Sequence, residues 1–238
     1  MSARPEHVAV VIPAKDEAER IGATVASART IPGVRAVVVV DDGSCDATGQ
    51  AARDAGALVV RHSRNRGKAA AMETGADVVA GRVPGAALLF LDADLGDTAA
   101  NTVALTEPVL AGEADMTIAV LPRQKTAGGG RGLVVNLSRK GIQNATGWTA
   151  TQPLSGMRCL TPEAFAAARP LAHGWGVETA LTIDLLRQGF RVLEVPCELH
   201  HRVTGTDLRA QLHRARQYRD VARALTVRRV RSVLGRHR

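Results

Sequence analysis

Across residues 7–94, four short apolar runs alternate with segments of helical period, and three of the runs stop at a cluster of carboxylates. The runs are 7–12, 34–40, 58–61 and 86–91. Between them, segments 16–28, 46–55 and 68–80 read as helices, with Ile21 and Val25 one turn apart. The run at 34–40 is β-branched and nearly unbroken, the pattern of a strand covered on both faces. This alternation predicts right-handed βαβ units and a mainly parallel sheet flanked by helices. Ligands of such sheets sit beyond the carboxyl ends of the strands. The polar clusters at 13–17, 41–46 and 92–94 all fall there, so a site is indicated before any single motif is read.

Beyond residue 95 the pattern loosens. A strand is expected at 115–121, a glycine-rich loop at 128–132, a helix near 133–145 and a loop at 152–156. A helix over 177–188 follows Gly174-Trp175-Gly176, and a late strand is expected at 191–195. Aromatics are only 3% of the chain, so the core must come from Ala, Val and Leu. No apolar run reaches the ~18 residues of a spanning helix, and no secretory signal is read at the N-terminus. Cys45, Cys159 and Cys197 are odd in number and widely spaced. That argues against a disulfide framework or zinc knuckle and fits a cytoplasmic protein.

The formal charge of +8 is localised: residues 207–238 hold ten arginines against Asp207 and Asp220, and the remainder is neutral. The chain therefore reads as an α/β domain over 1–206 with a basic helical arm over 207–238. On that arm Leu208, Leu212, Ala215, Ala222 and Leu225 are expected to face the domain, and Arg209, Arg216, Arg219 and Arg223 the solvent. Residues 228–236 have too little apolar surface to be held as firmly.

Asp92-Ala93-Asp94 is the sharpest motif. Carboxylates at i and i+2 of an extended chain share one side and suit a divalent ion held jointly with a diphosphate. A polar turn after a strand is the plainer alternative. In Asp41-Asp42-Gly43-Ser44, a carboxylate can accept the N3–H of uracil while Gly43 permits a tight turn. Helix capping needs only Ser44 or Asp46, not two consecutive acids. Lys68, after Asn65-Arg66-Gly67, adds charge to a helix start already suited to anions. Glu178 begins a helix, where it can take a proton from an attacking hydroxyl or simply favour the helix dipole. His200-His201-Arg202, after the last strand, can complete a metal site with the carboxylates.

Together VIPAKDE, VVVVDDGSCDAT, NRGKAAAMETG, LLFLDAD and GWGVET resemble the GT-A glycosyltransferases of family 2, over roughly residues 8–205. Within that family, GGGR at 128–131, QPLSG at 152–156, GWGVE at 174–178 and HHR at 200–202 are similar to glucosyl-3-phosphoglycerate synthases. The resemblance implies a Rossmann-like GT-A sheet and a UDP-sugar held by Pro13, Ala14, Glu17, Asp42, Lys68, Asp92 and Ala93. It implies Mg²⁺ or Mn²⁺ on Asp94 and His201, and Glu178 at the reaction centre. The sugar and acceptor loop would comprise Gly130, Arg131, Leu154, Ser155 and Gly156. Asp42 and Gly43 look instead like the polyprenyl-phosphate transferases. Leu133 and Val203 stand where phosphoglycerate enzymes carry polar acceptor contacts. The implied reaction is hexose transfer from a nucleotide sugar, UDP-glucose favoured, to an anionic acceptor such as a polyprenyl phosphate or a small phosphorylated acid.

A sugar-1-phosphate nucleotidylyltransferase shares the sheet and the acidic metal site. It needs a Gly-rich loop after the first strand, where this chain has the Gly-free stretch from Pro13 to Glu17. No GxGxxG follows any strand, against a dinucleotide oxidoreductase. Nucleic-acid binding through the arm is the competing reading from another class. One aromatic, Tyr218, and no base-reading module argue against it. Two readings of the arm stay open: a solvated helix, or peripheral contact with an anionic membrane at its inner face, at up to ~1 kcal/mol per arginine. A homodimer is compatible with this reading.

Overall fold

The structure is a computed structural model and describes residues 4–122, 132–199 and 208–234. Seven strands form one sheet: β1 (Val8–Ala14), β2 (Val34–Asp41), β3 (Leu58–Arg61), β4 (Ala87–Phe90), β5 (Met116–Val120), β6 (Arg158–Leu160) and β7 (Val192–Pro196). Their order is β3-β2-β1-β4-β6-β5-β7. Every pairing is parallel except those of β6, which runs antiparallel to both β4 and β5. The mainly parallel sheet expected from the sequence is therefore present, with one reversed strand added.

The unbroken apolar runs have a simple cause. Val8, Val10 and Ile12 of β1 join one buried layer with Val37, Val39 and Leu89, against α1 (Ile21–Ala28). Ala9 and Val11 join the opposite layer with Val38, Val40, Leu88 and Phe90, against α3 (Lys68–Arg82). Alternate side chains of one strand enter two cores, so no polar face is left to interrupt the run. The few aromatics are spent sparingly, as in the tilted Phe90–Phe165 pair at 5.3 Å.

Three sequence-derived boundaries need correction. Residues 16–20 are not helical; α1 starts at Ile21. Asp16 instead adopts φ 56° and accepts from the Cys45 N–H at 2.8 Å, while the Glu17 N–H donates to Thr48 Oγ1 at 2.8 Å. These bonds tie the loop after β1 to the loop before α2 (Thr48–Asp54). Second, α4 (Val103–Leu110) was not anticipated, because Pro108 lies inside it and a 3-10 turn, Gly96–Thr102, precedes it. Third, β6 and α6 (Pro162–Ala168) were not anticipated either. For α6 the signal was legible: Thr161 accepts from the Ala164 N–H at 3.1 Å, with Pro162 at the first helical position.

The remaining helices are α5 (Leu133–Thr146), α7 (Val177–Arg187) and α8 (Leu208–Leu234). α8 carries most of the arginine arm and packs on α5, α7 and the 3-10 turn Gly174–Gly176. Its docked face matches the expected one in part: Leu225 packs against the cluster of Ile142 and Ile183 and Ala222 is half-buried, whereas Ala215 is exposed and Val221, Ala224 and Arg228 are buried. The side chains of Leu208, Leu212 and Arg209 lie outside the described residues. Arg216, Arg219 and Arg223 do face solvent. The expected looseness after residue 228 is corrected at its first residue. Arg228 is 5% exposed, donates from Nε to Asp184 Oδ1 at 2.8 Å and makes a second bond from Nη2 to Oδ2. Its own carbonyl accepts from Arg187 at 3.0 Å. Asp184→Ala should therefore cost about 3 kcal/mol in urea unfolding, because it leaves a buried guanidinium without its carboxylate. A loss below about 1 kcal/mol, the worth of an exposed pair, would show the contact to be incidental. Among the described residues no helix is long and apolar enough to cross a membrane.

Candidate active site

The two consecutive acids at the end of β2 divide the work. Asp41 is fully buried, accepts from the Ser44 N–H at 2.9 Å and lies 3.5 Å from Arg61 Nε, so it builds the turn. Asp42 faces the cavity and holds the next loop in place. Its Oδ1 accepts from the Arg66 N–H at 2.8 Å and its Oδ2 from the Gly67 N–H at 2.7 Å. His62 Nδ1 lies 2.7 Å from the same Oδ1, and its Nε2 lies 3.0 Å from Thr74 Oγ1. His62 was missed in the sequence, where it is one histidine after a short strand.

That loop delivers Lys68, the first residue of α3. Its Nζ lies 2.9 Å from Asp92 Oδ1 and 3.1 Å from Glu178 Oε1. Burial alone would depress the ammonium. The carboxylates of Asp92 and Glu178 outweigh it and hold the Lys68 pKa above the ordinary lysine value. Asp94, two residues beyond Asp92, makes no hydrogen bond or ion pair among the described residues and lines the same cavity. Glu178 is 6% exposed in the first turn of α7.

The loop at 152–156 closes over this ion-pair cluster. A Cβ on Gly156 would lie 2.5 Å from Lys68 Nζ and 2.7 Å from Asp92 Oδ1, so a side chain there would displace the ion pair. Gln152 anchors the loop from one side, exchanging bonds with the Leu121 carbonyl at 2.7 Å and the Leu121 N–H at 3.1 Å. Arg158 anchors it from beneath. It is 1% exposed, and it donates to the carbonyls of Ser155 at 2.8 Å and Pro153 at 3.1 Å and to Thr182 Oγ1 at 2.9 Å. Burial pushes this guanidinium down to about 10, against the opposing pull of Glu178 and Glu194. It remains a cation at neutral pH.

The result is a cavity of about 540 Å³ at the carboxyl ends of β1, β2 and β4. Its walls include Pro13, Ala14, Glu17, Asp42, Lys68, Asp92, Ala93, Asp94, Leu154, Gly156 and Glu178, all named from the sequence. Ser155 belongs to the loop but is buried behind it and is not on the wall. Gly130, Arg131 and His201 lie outside the described residues. Missed wall residues include Asn65, Val134, Trp175 and Gln217. Trp175 sits in a turn already singled out, whereas nothing local in the sequence marks Gln217.

Residues 9–165 match Glycosyl transferase family 2, which is more than half of the chain. The chain belongs to that family. Glycosyltransferase AglJ of Haloferax volcanii is 28% identical over 211 residues, covering 85% of this chain and 66% of the relative. The uncharacterized protein MJ1222 of Methanocaldococcus jannaschii is 32% identical over 200 residues, covering 80% of each. The glucosyl-3-phosphoglycerate synthase of Mycobacterium tuberculosis, solved with phosphoglyceric acid, superposes with TM-score 0.76 at 27% identity. That match covers 94% of this chain and 80% of the synthase. A second crystal structure of the synthase, with Mn²⁺, UDP-glucose and phosphoglyceric acid, gives 0.75 at 26% identity over 94% and 79%. The GT-A fold expected from the sequence is thus the fold observed.

Proposed function

We propose that this family 2 glycosyltransferase moves a hexose from UDP-glucose, held with Mg²⁺ or Mn²⁺, to an anionic acceptor with an apolar portion, a polyprenyl phosphate in preference to a small phosphorylated acid. The observation that carries the reading is Lys68 bridging Asp92 and Glu178 beside Asp94, at the strand ends where a diphosphate would lie. Among the described residues no three His, Cys, Asp or Glu side chains cluster as a metal site. The donor set nevertheless suits Mg²⁺ or Mn²⁺, which bind through one or two carboxylates with substrate phosphates supplying the remaining oxygens. Asp94 would hold the ion, with Asp92 beside it and His201 as the further ligand. When bound, the ion supplies charge for the departing diphosphate. The synthase complexes with UDP-glucose and Mn²⁺ support the same choice of donor and metal.

Within this reading each residue has a task. Pro13, Ala14 and Glu17 would flank the nucleotide, and Asp42 would accept the uracil N3–H. Lys68 orients Asp92 and Glu178 and adds positive charge beside the diphosphate. Glu178 faces the sugar and the attacking hydroxyl. Leu133, 63% exposed, and Val134 on the cavity wall favour an acceptor with an apolar portion. The exposed arginines of α8 would attract an anionic bilayer carrying it.

A donor screen with and without Mn²⁺, reading UDP or GDP release, tests the reaction. Product NMR then gives the anomeric outcome. Absence of metal-dependent UDP-glucose turnover with either acceptor would overturn the proposal. The surface is tested by sedimentation with anionic and neutral vesicles at low and high salt; indifference to anionic vesicles at low salt removes the membrane from it.

Asp42→Asn checks the base pocket. An amide nitrogen must then face a backbone N–H, that of Gly67 or that of Arg66 beside His62, so the 65–67 loop should loosen and UDP affinity fall by about tenfold. Calorimetry with UDP and GDP separates the causes. A larger loss for UDP reports a contact to the base, and an equal loss reports the loop alone.

A further inference from the structure

The wall of the cavity is not finished by the segment that matches the family. Gln217 lies in α8, beyond residue 165 where the match ends, and lines the same cavity as Lys68 and Glu178. Gln217, Asp220, Val221, Ala224 and Arg228 recur at i, i+3, i+4, i+7 and i+11, which is one stripe of a helix. Three members of the stripe are buried against the domain, and Arg228 locks it to Asp184 on α7. The stripe fixes where Gln217 and Asp220 point.

Asp220 is the one acid described in an arm built of arginines. Its Oδ1 is held by Arg219 at 3.1 Å, and its Oδ2 accepts from the Trp175 N–H at 3.3 Å. The contact depends on Gly174, at φ 67°, where a Cβ would stand 2.2 Å from the Asp220 oxygen. At Gly176 a Cβ would stand 2.7 Å from Ala224 Cβ. The Gly174–Gly176 turn therefore packs against α8 with no room for a side chain at Gly176, and it runs directly into Val177 and Glu178 of α7. A shift of α8 would move Trp175 and the start of α7 together.

Gln217 comes from a different part of the fold than the residues proposed to hold the base. Pro13, Glu17, Asp42 and Asn65 come from the β1–β2 half of the sheet. Val134, Trp175 and Gln217 come from α5, the 3-10 turn and α8. The Gln217 amide is half-buried and has no hydrogen-bond partner among the described residues. An amide offers two donors and an acceptor without charge, and Trp175, lining the same cavity, offers a flat apolar face.

We propose that α8 completes the active site, with Gln217 as a specificity-determining residue at its acceptor end and Asp220 as a positioning residue for the turn that carries Trp175 and leads into Glu178. This rests on the glycosyl-transfer reading above. The arm is then part of the enzyme's chemistry as well as a charged surface.

The test uses the full chain without vesicles, with UDP-glucose and Mn²⁺. Turnover is read with water, with 3-phosphoglycerate and with a short-chain polyprenyl phosphate as acceptors. Gln217→Ala should leave UDP affinity within a few-fold while altering the ratio of kcat/KM for the two phosphates by about tenfold. Asp220→Asn should lower kcat for every acceptor by about tenfold with UDP affinity unchanged, the mark of displaced geometry and not of lost binding. Arg223→Ala, on the exposed face of α8, should change none of these. An unaltered acceptor ratio in Gln217→Ala, or an unaltered kcat in Asp220→Asn, overturns the corresponding assignment. A fall in UDP affinity matching a fall in melting temperature in both variants would make α8 mere support and overturn both. Failure of the unsubstituted protein to bind UDP overturns the functional reading instead. The hold on the turn is then read from Trp175 fluorescence in a Trp148→Phe background. An emission maximum indifferent to Asp220→Asn overturns it.

Discussion

Asp94→Ala is expected to lower Mn²⁺-dependent turnover of UDP-glucose by about a thousandfold or more, since both the ion's charge and its placement are lost as the diphosphate departs. The melting temperature should barely move. Asp94 follows a strand end, lines the cavity and makes no hydrogen bond or ion pair among the described residues, so its removal opens no core void and orphans no partner. Asp92 is a poorer probe of the same idea, because its loss also strips Lys68 of a carboxylate. The measurement is UDP release across a Mn²⁺ titration, alongside thermal unfolding. Turnover within about tenfold of the unsubstituted chain would remove Asp94 from the metal site.

Glu178→Gln is expected to lower kcat by roughly a hundred- to ten-thousandfold while UDP affinity stays within a few-fold. The amide is isosteric and its oxygen can still accept from Lys68, which keeps Asp92 as its second partner. What disappears is a negative charge facing the reaction and a group that can take a proton. Glu178 also lies close enough to Arg158 to help keep that buried guanidinium charged, so a modest loss of stability should accompany the change. Product configuration separates two roles. Inversion with a lost pH dependence identifies the base, whereas retention identifies a residue that orients the sugar. Transfer within about tenfold of the unsubstituted chain would take Glu178 out of both.

The most legible strands are those buried on both faces. β1, β2 and β4 announce themselves because each feeds two cores, and the carboxylates at their ends announce the site because they interrupt apolar runs; the edge strand β3, half exposed, is marked by its β-branched residues alone. The rest depends on partners distant in the chain. β6 is three residues long and opens with Arg158, a cation that no local pattern places in a core; its acceptors are carbonyls of the preceding loop and a threonine of α7. Pro108 hides α4. On the arm, the leucine and alanine pattern points to one docked face, yet Arg228 and Asp220 help define it beside Leu225, through Asp184 and Trp175. His62 and Gln217 were invisible for the same reason. A lone polar residue acquires a role only from what the fold sets against it.

The reversal of β6 has one more consequence. Because Phe90 pairs with Arg158 and Leu88 with Leu160, β6 begins where β4 ends. The 152–156 loop thus reaches the cavity from in front of a strand, not from behind one. The cavity is assembled from two blocks of chain: one ends by residue 95, and the other, from 132 onward, arrives through β6, α7 and α8. Under the proposed function, changes in the second block would alter what the cavity admits while leaving intact the strand ends of the first, where the nucleotide is proposed to lie.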